Sequence, residues 1–176
     1  MRVILETSRL ALREFVPADA DALKRVIGDP ITMRYYPFPF DRTAVVRWIE
    51  RNRKRYEDHG HGLWAMDLRS SGEMIGDCGI TLQEVGGEWM PEVGYHLRRD
   101  MWGQGLATEA AVACRDHSFR SWDYEFLISL ILPENEPSRR VAQRNGMTVW
   151  KEITRVGLPH LVYRVRREEW EDIVRR

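Results

Sequence analysis

The pattern of apolar and polar positions along the first third of the chain is typical of a strand followed by two helices. Residues 10–15 show the partial alternation of a half-buried strand, and residues 17–28 open with proline and close with glycine, as a short helix does. Apolar residues recur at roughly helical spacing through residues 41–60, with Gly60 as the stop. The opening pattern therefore predicts one strand followed by two helices.

The rest of the chain is dominated by strand patterns. Five strands are predicted at 62–69, 74–83, 91–97, 126–132 and 147–153, a sixth at 161–167, and two helices at 107–119 and 135–146. The first two of these strands flank a Ser-Ser-Gly-Glu turn and read as an antiparallel hairpin, and the charged C-terminus predicts a solvated last turn of helix. We expect one α/β (α+β) domain over residues 1–176, with a mixed, mostly antiparallel sheet flanked by helices.

Charge and composition narrow the class of protein. Lys plus Arg equal Asp plus Glu at 27 each, which gives no indication of binding to nucleic acid or to an anionic membrane. No apolar run approaches the roughly 20 residues of a bilayer span, so we expect a cytoplasmic protein. The two cysteines lack the spacing of a zinc site, and His59 and His61 have no third ligand nearby, so no metal site and no disulfide is predicted.

Two glycines precede the third predicted helix, in the sequence Gly103-Gln104-Gly105. A strand, a short loop and a helix in this order place backbone N–H groups at a helix N-terminus, which is a site for an anion. A Walker A loop is excluded because no Gly-Lys-Ser/Thr follows, and a dinucleotide fingerprint requires a small residue where Thr108 stands.

Five motifs in order along the chain resemble the GNAT acetyltransferase superfamily, in its RimJ/RimL-like branch. They are TSRLALREF, MIGDCGI, EVGYHLRRDMWGQGLATEA, NEPSRRVAQRNGM and LVYRVRREEW. The resemblance implies acetyl-CoA as cofactor and a V-shaped splay between the strands at 91–97 and 126–132. It places pantetheine along the strand that ends at Leu97, near Asn135. The diphosphate would lie on the amides of Gly103, Gln104, Gly105, Leu106, Ala107 and Thr108. Arg98 and Arg99 just upstream are the candidate sources of positive charge, with solvated residues at the strand end as the alternative.

The resemblance also implies catalytic positions. Glu92 is the predicted general base for the acceptor amine, with a structural carboxylate as the alternative. Many family members carry a tyrosine seven positions after the helix-opening asparagine, but Ala142 stands there. The role of donor to the leaving sulfur therefore falls to Ser138, whose alternative role is a helix-capping residue. Backbone N–H groups between Tyr95 and Leu97 are the predicted oxyanion donors.

The acceptor implied by this branch is a primary amine, and a protein or peptide N-terminus is the first expectation. Residues 33–40 would shape its pocket. Acetylation of a small amine, a CoA-binding regulatory protein without turnover and an NAD-type enzyme remain alternatives, and a homodimer is a possible assembly.

Overall fold

Across residues 2–175, which the computed structural model describes, eight strands form one sheet in the order β1-β2-β3-β4-β5-β6-β8-β7. The strands are β1 (Val3–Glu6), β2 (Leu10–Arg13), β3 (Leu63–Leu68), β4 (Met74–Val85), β5 (Glu88–Leu97), β6 (Phe126–Ile131), β7 (Thr148–Arg155) and β8 (Leu158–Arg166). The helices are α1 (Ala20–Ile27), α2 (Arg42–His59), α3 (Leu106–Ser121), α4 (Glu136–Arg144) and α5 (Arg167–Val174).

Helix ends follow the local sequence signals. The Asp41 carboxylate accepts the N–H of Ala44 at 2.7 Å at the start of α2, and Gly60 ends that helix with φ +74°. Asn135 caps α4 by accepting the N–H of Ser138 at 3.3 Å. The predicted bounds of α2 and the cap at Asn135 are confirmed, whereas α4 ends at Arg144 with Asn145 as its C-cap, before the predicted end at Gly146.

Two elements differ from the pattern-based prediction. The charge-interrupted start of the chain forms β1, which pairs antiparallel with β2 and was not predicted as a strand. Charged residues are tolerated there because β1 is an edge strand with exposed ends. The C-terminal turn is a two-turn helix, α5, whose Trp170 is 8% exposed and packs in the core, so it is less solvated than predicted.

The sheet opens beside β5. This strand pairs antiparallel with β4 along its full length, from Gly76 opposite Leu97 to Val85 opposite Glu88. On its other edge it runs parallel to β6 and pairs only where Glu92 lies opposite Ile128. Beyond that contact the two strands separate, which confirms the mixed, mostly antiparallel sheet with a V-shaped splay.

Both faces of the sheet are covered by helices. Apolar residues of α3, such as Leu106, Ala110 and Phe119, pack on one face, and those of α1 and α2, such as Leu23 and Ile49, form a second core cluster. Within residues 2–175 no helix has the length and hydrophobicity that crossing a bilayer requires. The expectation of a single domain over the whole chain stays a prediction.

Candidate functional site

A cavity of about 500 Å³ lies at the C-terminal end of β5. Four segments line it: the end of β5, the loop before α3 with the start of that helix, the first turns of α4, and the connection between α1 and α2. The lining residues are Ile31, Thr32, Arg34, Tyr35, Tyr36, Tyr95, His96, Leu97, Trp102, Gly103, Gly105, Leu106, Ala107, Thr108, Asn135, Pro137, Ser138, Arg140, Val141 and Arg144. Most of the positions predicted from the sequence therefore meet in one place.

The loop before α3 presents free backbone donors to this cavity. The first helical hydrogen bond runs from the N–H of Glu109 to the carbonyl of Gly105 at 3.0 Å, so the N–H groups of residues 106–108 precede the helical ladder. Gly103 and Gly105 have φ of +76° and +77°. A Cβ at Gly105 would meet only Arg9 Nη2 at 3.7 Å, so glycine is required there for its backbone conformation and not for space inside the protein.

Glu109 anchors this loop to the turn between β1 and β2. Its carboxylate accepts the Thr7 hydroxyl at 2.6 Å, the Ser8 hydroxyl at 3.0 Å, and the Arg9 Nε at 2.6 Å. Arg9 in turn donates to the carbonyl of Gln104 at 2.9 Å. Burial by itself would raise the pKa of Glu109, but these hydrogen bonds outweigh it and lower the pKa. The side chain of Gln104 lies outside the cavity lining.

Positive charge reaches the cavity from arginines other than Arg98. The Arg98 guanidinium, 13% exposed, lies 2.6 Å from Glu73 and 2.6 Å from Asp100, and these carboxylates raise its pKa. It is absent from the cavity lining, whereas Arg34, Arg140 and Arg144 belong to it. The role of Arg98 toward a diphosphate stays a prediction. The exposed arginines of α4, Arg140 in its middle and Arg144 at its end, were the overlooked sequence signal.

Ser138 lies in the first turn of α4 and lines the cavity. Its carbonyl accepts the hydroxyl of Tyr95 at 2.9 Å, and its N–H bonds the cap Asn135. The Ser138 side chain also hydrogen-bonds the Tyr95 phenol, which works against the rise of the Tyr95 pKa that burial causes. Ala142, one turn further on, is 1% exposed and belongs to the core.

One edge of β5 carries backbone donors that face the splay. The carbonyl of Val93 accepts the Ser129 hydroxyl, and the carbonyl of Leu97 accepts the indole N–H of Trp102, both at 2.8 Å. These carbonyls point away from β4. Because the N–H and C=O of one strand residue point to the same edge, the N–H groups of Tyr95 and Leu97 also face the splay. They lie where oxyanion donors were expected.

Glu92 lies at the point where β5 and β6 part. Its Oε1 accepts the N–H of Leu130 on β6 at 3.0 Å. Burial raises the pKa of Glu92, against the lowering effects of this hydrogen bond and of Arg155. The residue does not line the cavity, and its hydrogen bond corresponds to the structural alternative considered for it. Its role as a base stays a prediction.

A hydrogen-bonded group at the cavity wall escaped the sequence analysis. His96 Nδ1 lies 2.7 Å from Asp77 Oδ1, and His96 Nε2 lies 2.7 Å from the hydroxyl of Tyr36. Tyr36 was included only as part of the pocket segment 33–40. Asp77 and His96 lie inside two of the motifs that carry the family resemblance, but neither was assigned a role, since their contact depends on the register of β4 against β5.

Both ring nitrogens of His61, one of the two histidines considered for metal binding, have hydrogen-bond partners within the protein. His61 Nδ1 lies 2.9 Å from the carbonyl of Ile80, and its Nε2 lies 2.6 Å from the hydroxyl of Tyr124. Within residues 2–175 no group of three or more His, Cys, Asp or Glu side chains is arranged to hold a metal ion.

A splayed mixed sheet with a glycine-rich helix N-terminus at its opening is the arrangement that the resemblance to acetyl-CoA-dependent acyltransferases implied. The family model described as an acetyltransferase (GNAT) domain matches residues 9–148. The chain belongs to this family and is an acetyl-CoA-dependent N-acetyltransferase.

Individual relatives agree with the family. The uncharacterized protein YkkB of Bacillus subtilis is 34% identical over 160 residues, which cover 90% of this chain and 93% of that protein. The crystal structure of an acetyltransferase from Agrobacterium tumefaciens is 32% identical, with a TM-score of 0.80 over 92% of this chain and 93% of that chain.

A third structure shares the fold alone. It is the ribosomal L7/L12 alpha-N-protein acetyltransferase RimL in complex with coenzyme A, 17% identical, with a TM-score of 0.73 over 94% of this chain and 98% of that chain. The assignment to the RimJ/RimL-like branch stays a prediction.

Proposed function

We propose that this protein transfers the acetyl group of acetyl-CoA to an α-amino group, that of a protein or peptide N-terminus, by direct attack in a ternary complex. The observation that carries the proposal is the charge of the cavity wall. Three arginines, Arg34, Arg140 and Arg144, line it, and none of the lining residues found within residues 2–175 is acidic.

This charge distribution suits one substrate and disfavours one class of acceptor. The diphosphate of acetyl-CoA is anionic and gains from the arginines and from the N-terminus of α3. A polycationic small amine would meet the same positive charge without a carboxylate to pair with. An N-terminal α-amine carries a single charge, which is lost before attack.

The ionisation of the acceptor favours the same choice. Holding a lysine amine neutral at pH 7, from a pKa near 10.4, costs roughly 4.6 kcal/mol, whereas an α-amine near 7.8 costs about 1 kcal/mol. RimL, which shares this fold, is a ribosomal L7/L12 alpha-N-protein acetyltransferase whose structure holds coenzyme A.

Each part of the cavity has a role in the proposal. The amides of residues 103–108 hold the diphosphate, pantetheine follows β5 to Leu97 beside Asn135, and the N–H groups of Tyr95 and Leu97 stabilise the oxyanion. The hydroxyl of Ser138 donates a hydrogen bond to the sulfur as the thiolate leaves.

The test uses three acceptors that differ in the amine, two of them peptides of equal length. They are a lysine-free peptide with a free N-terminus, the same peptide with a blocked N-terminus and one lysine, and spermidine. Release of the CoA thiol is followed with each, and products are identified by mass. We expect kcat/KM for the first peptide to exceed the others at least tenfold, since the free-energy difference between the two amines exceeds the 1.4 kcal/mol of one factor of ten.

Two results contradict the proposal in different ways. Preference for spermidine would indicate a small-molecule acetyltransferase. Thermal stabilisation by CoA without thiol release above background would indicate a CoA-binding protein that lacks turnover.

A further inference from the structure

A chain of hydrogen bonds leads from the core to the cavity wall through three elements. Asp77 on β4 is fully buried, and its second carboxylate oxygen accepts the indole N–H of Trp48 on α2 at 3.0 Å. His96 on β5 is 8% exposed and bonds Asp77 with Nδ1. Tyr36, in the connection between α1 and α2, bonds His96 Nε2, and both residues line the cavity.

The order of these groups fixes the position of each proton. An ionised aspartate can only accept, so His96 Nδ1 carries the proton that it shares with Asp77. Nε2 then has a free lone pair, and the hydroxyl of Tyr36 must donate to it. Both lone pairs of the Tyr36 oxygen remain available on the cavity side. This is the arrangement in which a buried carboxylate orients an imidazole toward a hydroxyl.

The side chains around His96 hold its ring in place. Trp48 meets it edge-on with ring centroids 5.6 Å apart, and Tyr36 packs at 5.3 Å. A ring fixed on both sides and hydrogen-bonded at both nitrogens can exchange protons without moving. The carboxylate of Asp77, bonded to Nδ1, keeps Nε2 directed at Tyr36.

We propose that Tyr36, His96 and Asp77 form a proton relay that takes the proton of the acceptor amine during acetyl transfer. The inference rests on the proposed function. The amine nitrogen bonds the thioester carbon and loses one proton to the Tyr36 oxygen, and Tyr36 passes its own proton to His96 Nε2. The C–S bond then breaks with its electron pair on sulfur, and the imidazolium proton returns through Tyr36 to the thiolate. One proton leaves nitrogen and one reaches sulfur.

Glu92 is the rival for this role and is less well placed. Its carboxylate accepts the N–H of Leu130 and the residue does not line the cavity, whereas Tyr36 lines it together with Ser138. Desolvation and the negative charges of Glu92 and Asp77 raise the pKa of Tyr36, with Arg155 acting in the opposite direction. The phenol is therefore a proton donor to His96 at neutral pH.

The test compares Tyr36→Phe, Asp77→Asn and Glu92→Gln with wild type. Tyr36→Phe keeps the ring and removes the relay hydroxyl. Asp77→Asn offers an N–H to Nδ1 and so favours the opposite tautomer, in which Nε2 no longer accepts. The matched control is Tyr124→Phe, which removes an equivalent hydroxyl from His61 Nε2 outside the cavity.

The measurements are the kcat of each variant, its Kd for acetyl-CoA and its pH–rate profile with two acceptors of different amine pKa. We expect Tyr36→Phe to lower kcat about 100-fold or more with Kd within about twofold, since general base catalysis contributes on that order. In wild type we expect the rate to fall toward low pH in the same way with both acceptors, and this fall is the acidic limb of the profile. The acidic limb should disappear in Tyr36→Phe and Asp77→Asn and persist in Glu92→Gln and Tyr124→Phe. The charged groups that could shift this limb are Asp77 on β4, Glu92 on β5, Arg55 on α2 and Arg155 on β7.

The possible results distinguish a failure of the proposed relay from a failure of the proposed acetyl transfer. Wild-type kcat in Tyr36→Phe, or a limb that persists there and disappears in Glu92→Gln, would overturn the relay and leave acetyl transfer intact. A wild type without turnover on any acceptor would overturn both. Should Asp77→Asn be unstable, Tyr36→Phe decides alone, because Tyr36 is 43% exposed and its substitution spares the core.

Discussion

Replacing Gly105 by valine tests the diphosphate loop most directly. Gly105 is the N-cap of α3 and has φ +77°, a left-handed conformation that a β-branched residue adopts only with strain. The three N–H groups that follow it are aimed by this conformation. A change of φ at Gly105 therefore turns the donors that would hold the diphosphate.

The size of the effect follows from the local geometry. Left-handed backbone costs roughly 1–2 kcal/mol for a residue with a side chain. A Cβ at this position would lie 3.7 Å from Arg9 Nη2, an ordinary contact, so no collision inside the protein adds to that cost. If the loop stays left-handed, the strain lowers the unfolding free energy. If the loop instead relaxes to another conformation, binding of acetyl-CoA must restore the left-handed one at the expense of affinity. The valine side chain also hinders the close approach of the diphosphate to the backbone. Together we expect these effects to weaken binding about tenfold or more, or 1.4 kcal/mol.

The control is Gly72→Val, which carries similar strain away from the cavity. Gly72 has φ +71° in the turn between β3 and β4, and no atom lies within 4 Å of a Cβ built there. Titration calorimetry with acetyl-CoA and urea unfolding are run on both variants. We expect both to lose stability or adjust locally, and only Gly105→Val to lose affinity. An unchanged Kd in folded Gly105→Val would refute the assignment of the loop.

Two further substitutions test the site and its support. Ser138→Ala should lower kcat roughly 10- to 100-fold, the value of a hydrogen bond to a charged sulfur, with little change in the Kd for acetyl-CoA; equal losses in both would make Ser138 a binding residue only. Glu109 has a lowered pKa in the folded protein, so its stabilisation is complete above the unfolded carboxyl value of about 4.3 and is lost as pH falls through the lower folded value. Glu109→Gln should therefore flatten the acid side of a plot of urea midpoint against pH, and curves parallel to wild type would contradict this account.

Much of the molecule is determined by interactions that are local in sequence. Asp41 and Gly60 set the ends of α2, and Asn135 begins α4, because a cap and the groups it satisfies lie within a few residues of each other. The loop at Gly103 and Gly105 is also local, since left-handed backbone and the start of a helix are encoded side by side. These signals were sufficient to predict most of the element order, though not β1, and the motifs in order along the chain indicated the GNAT family. The anion site at the loop stays a prediction.

Tertiary structure decided which side chains meet. Asp77 and His96 are 19 positions apart and come into contact because β4 and β5 pair in one register, while Tyr36 reaches His96 from a connection 60 positions away. Arg98, close to the loop in sequence, is held instead by Glu73 and Asp100. Such pairings depend on strand register and on competition among all nearby charges. Sequence patterns therefore identify candidate residues, but the contacts between residues distant in sequence are set by the tertiary structure.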